Sequence, residues 1–409
     1  MNLLLKNIGL LATAQGKSAH CGADQGKISL IENAMVGVRN GEIVYAGPAD
    51  PDLTAEQTID CGGKLVTPGL VDSHTHLVFG GWRQKEMGLK LAGVSYLDIL
   101  KSGGGILNTV EHTRSATEAE LVNKGAGLLG EMLRHGTTTV ECKSGYGLDL
   151  LNERKQLQVA GILNDTQPVD IVPTFLGAHA VPKEFTGNRE AYIELICEEM
   201  LPAIAKEGLA GFCDIFCETA VFGPEESAHI LARARELGFR LKAHVDEIDP
   251  IGGAEMAAAA GCISAEHLIQ ASDKGIHDMA QRGVVAVLLP ATSFYLDKPY
   301  ARARKMIDEG VAVAVATDFN PGSSPNLNIQ LPMSLACLKY KLTPAEVLTA
   351  VTLNAAAAVG RANTIGTLET GKKADIVIWN APDLEYIFYR YGSNLVHTVI
   401  KDGNVYRIR

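Results

Sequence analysis

The 409-residue sequence lacks any apolar stretch long enough to cross a bilayer, for which about 20 consecutive residues are needed. Its first residues, Met1-Asn2-Leu3-Leu4-Leu5-Lys6-Asn7, are interrupted by charge before a signal-peptide core develops. Basic residues are in deficit, 37 Lys and Arg against 47 Asp and Glu, for a formal charge of −10. That balance argues against nucleic acid or an anionic membrane as the main partner, while leaving room for a locally positive pocket. Cysteines at zinc-ribbon spacing are missing too: the eight present are scattered, several in apolar runs such as Phe212-Cys213-Asp214-Ile215-Phe216-Cys217. Reduced, buried thiols follow, not a disulfide framework. There is no internal repeat or low-complexity tract. The expectation is a soluble, cytoplasmic protein whose partner is a small molecule; subunit number is open and admits a homodimer.

What is present has a regular order. Between about residues 66 and 365, eight apolar, β-branched runs fall near 70–77, 137–142, 170–177, 212–218, 240–246, 263–268, 284–290 and 311–317. Helix-compatible segments separate them, among them Glu118 to Arg134, Glu190 to Lys206, Glu225 to Leu237 and Ala254 to Ala260. Strand and helix alternating eight times predict an α/β fold, a (β/α)8 barrel of the TIM type with its active site at the strand C-termini. Residues 1–65 and 366–409 hold short β-type runs, including a hairpin signal at Asn40-Gly41. The two chain ends are therefore expected to build one small β-sandwich domain together.

Ligand-type residues gather where the barrel strands end. The first strand runs into His74-Thr75-His76, between the breaks Pro68-Gly69 and Gly80-Gly81. Alternation along a strand sends both imidazoles to one face. An isolated His-x-His is commonly incidental, but the fifth strand ends Ala243-His244-Val245-Asp246-Glu247, the sixth ends Ala265-Glu266-His267, and the eighth runs into Asp318. His74, His76, His244 and Asp318 would supply three nitrogens and one oxygen to one divalent ion, and that set suits zinc or iron. A bound ion lowers the pKa of its water to about 7, giving hydroxide at neutral pH. Asp318 would take the proton that water loses, His267 would stabilise the developing oxyanion, and Glu247 or Asp318 would deliver a proton to the leaving nitrogen.

At this point the chain resembles the amidohydrolase superfamily of metal-dependent hydrolases. The resemblance rests on Asn40-Gly41-Glu42-Ile43-Val44-Tyr45-Ala46-Gly47, on Thr67-Pro68-Gly69-Leu70-Val71-Asp72-Ser73-His74-Thr75-His76, and on the stretch from Gly366 to Val377. It implies a mononuclear site, because the fourth strand carries no lysine where two-metal members place a bridging one; Glu218 is the alternative bridge there. Within the superfamily the chain is similar to hydrolases of an imidazolone ring bearing a propionate tail. The segments that carry this likeness are His76 to Arg83, Lys143 to Leu148, Phe175 to Ala180 and Thr317 to Pro325. It implies substrate contacts from Arg83, Tyr96, Tyr146 and His179, with Glu247 beside the ring and Asn320, Gly322 and Ser323 on the opened product. The implied reaction takes 4-imidazolone-5-propanoate to N-formimidoyl-L-glutamate, a step of histidine degradation, by attack of metal-activated hydroxide on the ring carbonyl.

The residues agree with that transfer. Arginine binds carboxylate bidentately, and Arg83 lies in the loop after the first strand, within reach of the barrel mouth. Tyr146, flanked by Gly145 and Gly147, suits a mobile or closely approached loop. Two other readings stand beside this one. A deaminase of the same superfamily would also use His244, Glu247 and His267, but its substrates have no tail for Arg83 to bind. A catalytically silent barrel acting as a scaffold would have lost ligands that this chain keeps.

Overall fold

A computed structural model describes residues 1–94 and 104–407. Eight parallel strands pair in chain order: Leu70–Asp72, Thr137–Lys143, Asp170–Ala178, Phe212–Cys217, Arg240–Val245, Ser264–His267, Val285–Leu288 and Val313–Val315. These are the eight runs of the sequence pattern, several of them shortened. The first and eighth strands meet beyond their regular ends, where Thr75 bridges to Phe319 in parallel sense. There the Asp318 amide donates to the His74 carbonyl at 3.1 Å and the His76 amide to the Phe319 carbonyl at 2.8 Å. Below, the Asp72 carboxylate accepts from the Thr317 amide and hydroxyl at 3.0 and 2.6 Å.

Helices cover the barrel. Glu118–Arg134 starts where expected, with Thr117 and Glu120 forming a reciprocal capping box, and buries Leu121, Leu128, Leu129, Met132 and Leu133. The single helix expected over 190–206 is instead two, Arg189–Leu195 and Leu201–Glu207, joined by a π-helical turn over Ile196–Met200. Pro202 explains the break, since it has no N–H to give to the turn before it.

The chain ends build one mixed sheet. Its order is Asn404–Arg407, Val396–Lys401, Ile376–Trp379, Leu65–Pro68, Leu3–Thr13, Ser29–Arg39 and Glu42–Pro48, with Gln57–Asp60 beside Leu3–Thr13. The hairpin at Asn40-Gly41 has both residues at positive φ, 53° and 81°, as its tight turn requires. Leu65–Pro68 leads through Gly69 into the first barrel strand, so this sheet is anchored next to the strand that carries the histidine pair. No described helix is long and apolar enough to cross a membrane.

Candidate active site

His74 and His76 lie past the end of their strand, which stops at Asp72. They still share a face because bonds on both sides keep the backbone extended: the Lys143 amide donates to the Thr75 carbonyl at 3.0 Å, opposite the bonds to the eighth strand. His244 lies in the regular part of its strand, paired across from Glu266. Asp318 follows the eighth strand with φ +52°, and its Oδ2 accepts from the Thr292 hydroxyl at 2.6 Å. Its Oδ1 then stands 3.3 Å from His74 Nε2 and 3.7 Å from His76 Nε2.

His267 reaches the same place by a backbone distortion. Glu266 faces the barrel interior, so strict alternation would turn His267 away. With φ +69°, His267 swings back, and its ring lies 5.3 Å from that of His244 and 5.7 Å from that of His74. Left-handed backbone at a non-glycine residue costs energy and is concentrated at functional sites.

The donor set fits a cation. His74, His76 and Asp318 bring ligand atoms within 4.8 Å of one another, and so do His74, His244 and His267. Nε2 of both His74 and His244 is buried with no hydrogen-bond partner. Burial alone would depress the His74 pKa, but the charge of Glu266 outweighs it and lifts it to about 9, so the pocket favours positive charge at this ring. Burial likewise works against ionised Asp318, yet the close contact with the His74 ring and that ring's charge hold its pKa at about 2. The oxygens of Glu218, the alternative bridge, accept from the amides of Thr219 and Ile248 at 2.7 and 2.8 Å.

Around this cluster lie other residues expected from the sequence. Burial, and then the charges of Asp318 and Glu218, raise the pKa of Glu247 to about 8. Its Oε2 is 3.7 Å from His267 Nε2, and 18% of its side chain is open to solvent. Burial lowers His267 to about 3, so it is a neutral imidazole. His179 is also neutral, lowered by burial to about 3; its Nδ1 lies 3.0 Å from the Gly145 carbonyl, and its ring stacks on His76 at 4.9 Å. Tyr146 packs 5.4 Å from His179. Of the two loop types the sequence allowed, close approach applies: the Glu153 carboxylate accepts from the amides of Gly145, Gly147 and Leu148, and a Cβ on Gly147 would stand 2.3 Å from the Glu153 amide. Tyr96 lies outside the described residues.

Two of the expected substrate contacts also have partners within the chain. Arg83 Nε and Nη2 donate to Glu86 Oε1 and Oε2 at 3.0 and 2.8 Å. Its Nη1 fills the space where a Cβ on Gly322 would sit, 2.1 Å away, which explains glycine at that position. The Asn320 side chain, expected on the opened product, also braces its own loop. Its Oδ1 accepts from the amides of Gly322 and Ser323 at 2.8 Å each, and its Nδ2 donates to the Asp318 carbonyl and to Ser323 Oγ at 2.7 and 2.9 Å. Gly322 and Ser323 therefore lie on a loop that links Asp318 to Arg83.

The sequence reading passed over a layer of buried charge directly beneath the histidines. His74 Nδ1 is 2.5 Å from Glu266 Oε2, and His244 Nδ1 is 3.0 Å from Asp214 Oδ2. Lys143, Lys242 and Glu141 complete the layer. A signal existed: Glu141, Lys143, Asp214 and Lys242 are charges set at alternate positions in otherwise apolar strands.

Residues 65–406 match the Amidohydrolase family. The chain is 52% identical over 406 residues to imidazolonepropionase of Bacillus velezensis, covering 98% of this chain and 96% of that protein. It is 53% identical over 409 residues to imidazolonepropionase of Bacillus cereus, covering 99% and 96%. Among solved structures it resembles a zinc-bound adenosine deaminase from Xanthomonas campestris, with a TM-score of 0.71, 21% identity and coverage of 99% and 92%. Zinc-bound atrazine chlorohydrolase from Arthrobacter aurescens superposes with a TM-score of 0.69 at 20% identity, covering 98% and 94%. At that identity the structural likeness concerns the fold.

Proposed function

The chain belongs to the amidohydrolase family and, within it, to the imidazolonepropionases, and from this premise we propose that it hydrolyses 4-imidazolone-5-propanoate to N-formimidoyl-L-glutamate. The observation that carries the reading is the convergence of unpartnered His74 and His244 nitrogens with His76 and Asp318 at the C-terminal mouth of the barrel. His74, His76, His244 and Asp318 would hold one ion, zinc or iron. When bound, that ion supplies a Lewis acid and activates water at neutral pH.

The chain's own groups divide the remaining work. Asp318, its Oδ2 held by Thr292, accepts the proton of the attacking water. His267, as neutral imidazole, donates a hydrogen bond to the oxygen that becomes negative when water adds to the ring carbonyl. Glu247 is protonated below its raised pKa and gives its proton to the ring nitrogen as the carbonyl carbon–nitrogen bond breaks. The former carbonyl carbon becomes the α-carboxylate, and the nitrogen leaves as part of the formimidoyl group. Arg83 pairs with the propionate tail, while His179 and Tyr146 line the ring's side of the pocket. Eight unpaired cysteines, six of them buried, support a cytoplasmic location.

A product-resolved assay tests this reading. Incubation with imidazolone propionate should yield formimidoyl-glutamate without free ammonia; ammonia release in step with substrate loss would favour a deaminase.

A further inference from the structure

The layer beneath the metal ligands contains five ionisable side chains, Glu141, Lys143, Asp214, Lys242 and Glu266, each fully enclosed by the barrel. Such a layer is a poor way to stabilise a core, because well-packed apolar residues of similar volume serve as well or better. Its connections point upward, to the histidines.

Lys143 contacts Asp214 Oδ2 at 2.6 Å and Glu266 Oε2 at 2.9 Å. These are the same two oxygen atoms that stand against His244 Nδ1 at 3.0 Å and His74 Nδ1 at 2.5 Å. Lys242 is wired differently: it reaches the other Glu266 oxygen, Oε1, at 3.0 Å and Glu141 Oε1 at 2.8 Å. One ammonium thus holds both carboxylates that decide which nitrogen of each ring is turned toward the mouth, whereas the other holds only Glu266, and by its far oxygen.

We propose that Lys143 is a positioning residue of the metal centre, holding Asp214 and Glu266 so that His244 and His74 present Nε2 together. The proposal rests on the assignment of those histidines as metal ligands. A carboxylate behind a ligating imidazole sets its orientation and basicity, and disturbing such partners costs about 10- to 100-fold in metal affinity. Here the control lies one bond further back, in a group that touches neither metal nor substrate.

The test compares two charge-balanced double variants, Lys143→Met with Glu141→Gln and Lys242→Met with Glu141→Gln. Each removes one positive and one negative charge from the same layer and leaves Asp214 and Glu266 in place. Zinc affinity is measured by chelator competition, and ligand geometry by the visible spectrum of the cobalt-loaded protein. The Lys143 pair should bind zinc about 10- to 100-fold more weakly than wild type and show altered cobalt bands, whereas the Lys242 pair, which frees only the far oxygen of Glu266, should lose clearly less in both. Wild-type affinity in the Lys143 pair, or equal losses in the two pairs, overturns the proposal. Should a double variant fail to fold, Lys143→Arg and Lys242→Arg keep the charge and move only the donors, and the same contrast is required of them. Wild-type protein that binds no zinc and no cobalt would instead sink the metal assignment itself.

Discussion

The Arg83 guanidinium is clamped by the Glu86 carboxylate through two hydrogen bonds, leaving Nη1 directed at the backbone of Gly322. A cation held this way is pre-oriented, and a substrate tail paired with it, as proposed, would meet a fixed donor rather than a flexible side chain. Glu86 is itself tied down by the Gly105 amide at 2.8 Å.

Arg83→Gln should lower kcat/KM by about 10- to 150-fold through loss of a charge-assisted contact, mainly in KM. Glu86→Ala should act in the same direction by a smaller factor, because the guanidinium remains but is no longer aimed. Imidazolone without the propionate is the control: a poor substrate for the wild type, and almost insensitive to either change. Equal losses on tailed and tailless substrates would show that the pair only supports its loop.

For Glu247 the pH dependence has a definite sign. Burial and neighbouring carboxylates raise its pKa to about 8, so the proton-donating form is present below that pH and is lost as pH rises through it. In the metal-loaded enzyme kcat/KM should therefore fall on the alkaline side. Glu247→Gln should lower kcat by about 10²- to 10⁴-fold and flatten that limb. An unchanged alkaline limb in the variant would assign it to another group.

His267→Ala should reduce kcat by about 10²-fold or more while metal content stays at the wild-type level, as expected when a transition-state donor is lost. Elemental analysis of the purified variant decides the matter. His267 lies close enough to His74 and His244 to form a ligand triplet with them, so loss of the metal would make it a ligand instead.

Purified enzyme should contain about one divalent ion per chain and lose activity to a chelator, with recovery on adding zinc or iron(II). Two tightly held ions per chain would defeat the single-ion reading.

Much of this architecture was legible because its signals are local. Strand-to-helix alternation, the helix from Glu118 and the Asn40-Gly41 hairpin are written within a few residues, and so is the convergence of ligands once strand ends are taken to meet. What escaped depends on backbone exceptions and distant pairing. Period-two reasoning brings His74 and His76 together, but the strand had already ended and the extended backbone is borrowed from neighbours. The same reasoning admits only one of Glu266 and His267 to the site, and a left-handed residue is needed to admit both. Glu141, Lys143, Asp214, Lys242 and Glu266 come from four strands far apart in the chain, so their mutual neutralisation has no sequence signature beyond charge in apolar runs. The Arg83–Glu86 pair escaped because Glu86, three residues on, reads as an ordinary helix-start acid.

A ring of eight strands has one joint that no βα connection bridges, and here it is spanned by a few bonds around Asp72, Thr75, Thr317 and Phe319. His74 and His76 stand on one bank of that joint and Asp318 on the other, so an ion held by all three acts as a cross-link between the beginning and the end of the barrel. Binding free energy spent there counts toward closure of the ring as well as toward catalysis. Removing the ion should therefore do more than silence the enzyme: amide hydrogens of His76 and Asp318 should exchange faster well before the rest of the barrel loosens, marking where the closed ring first comes apart.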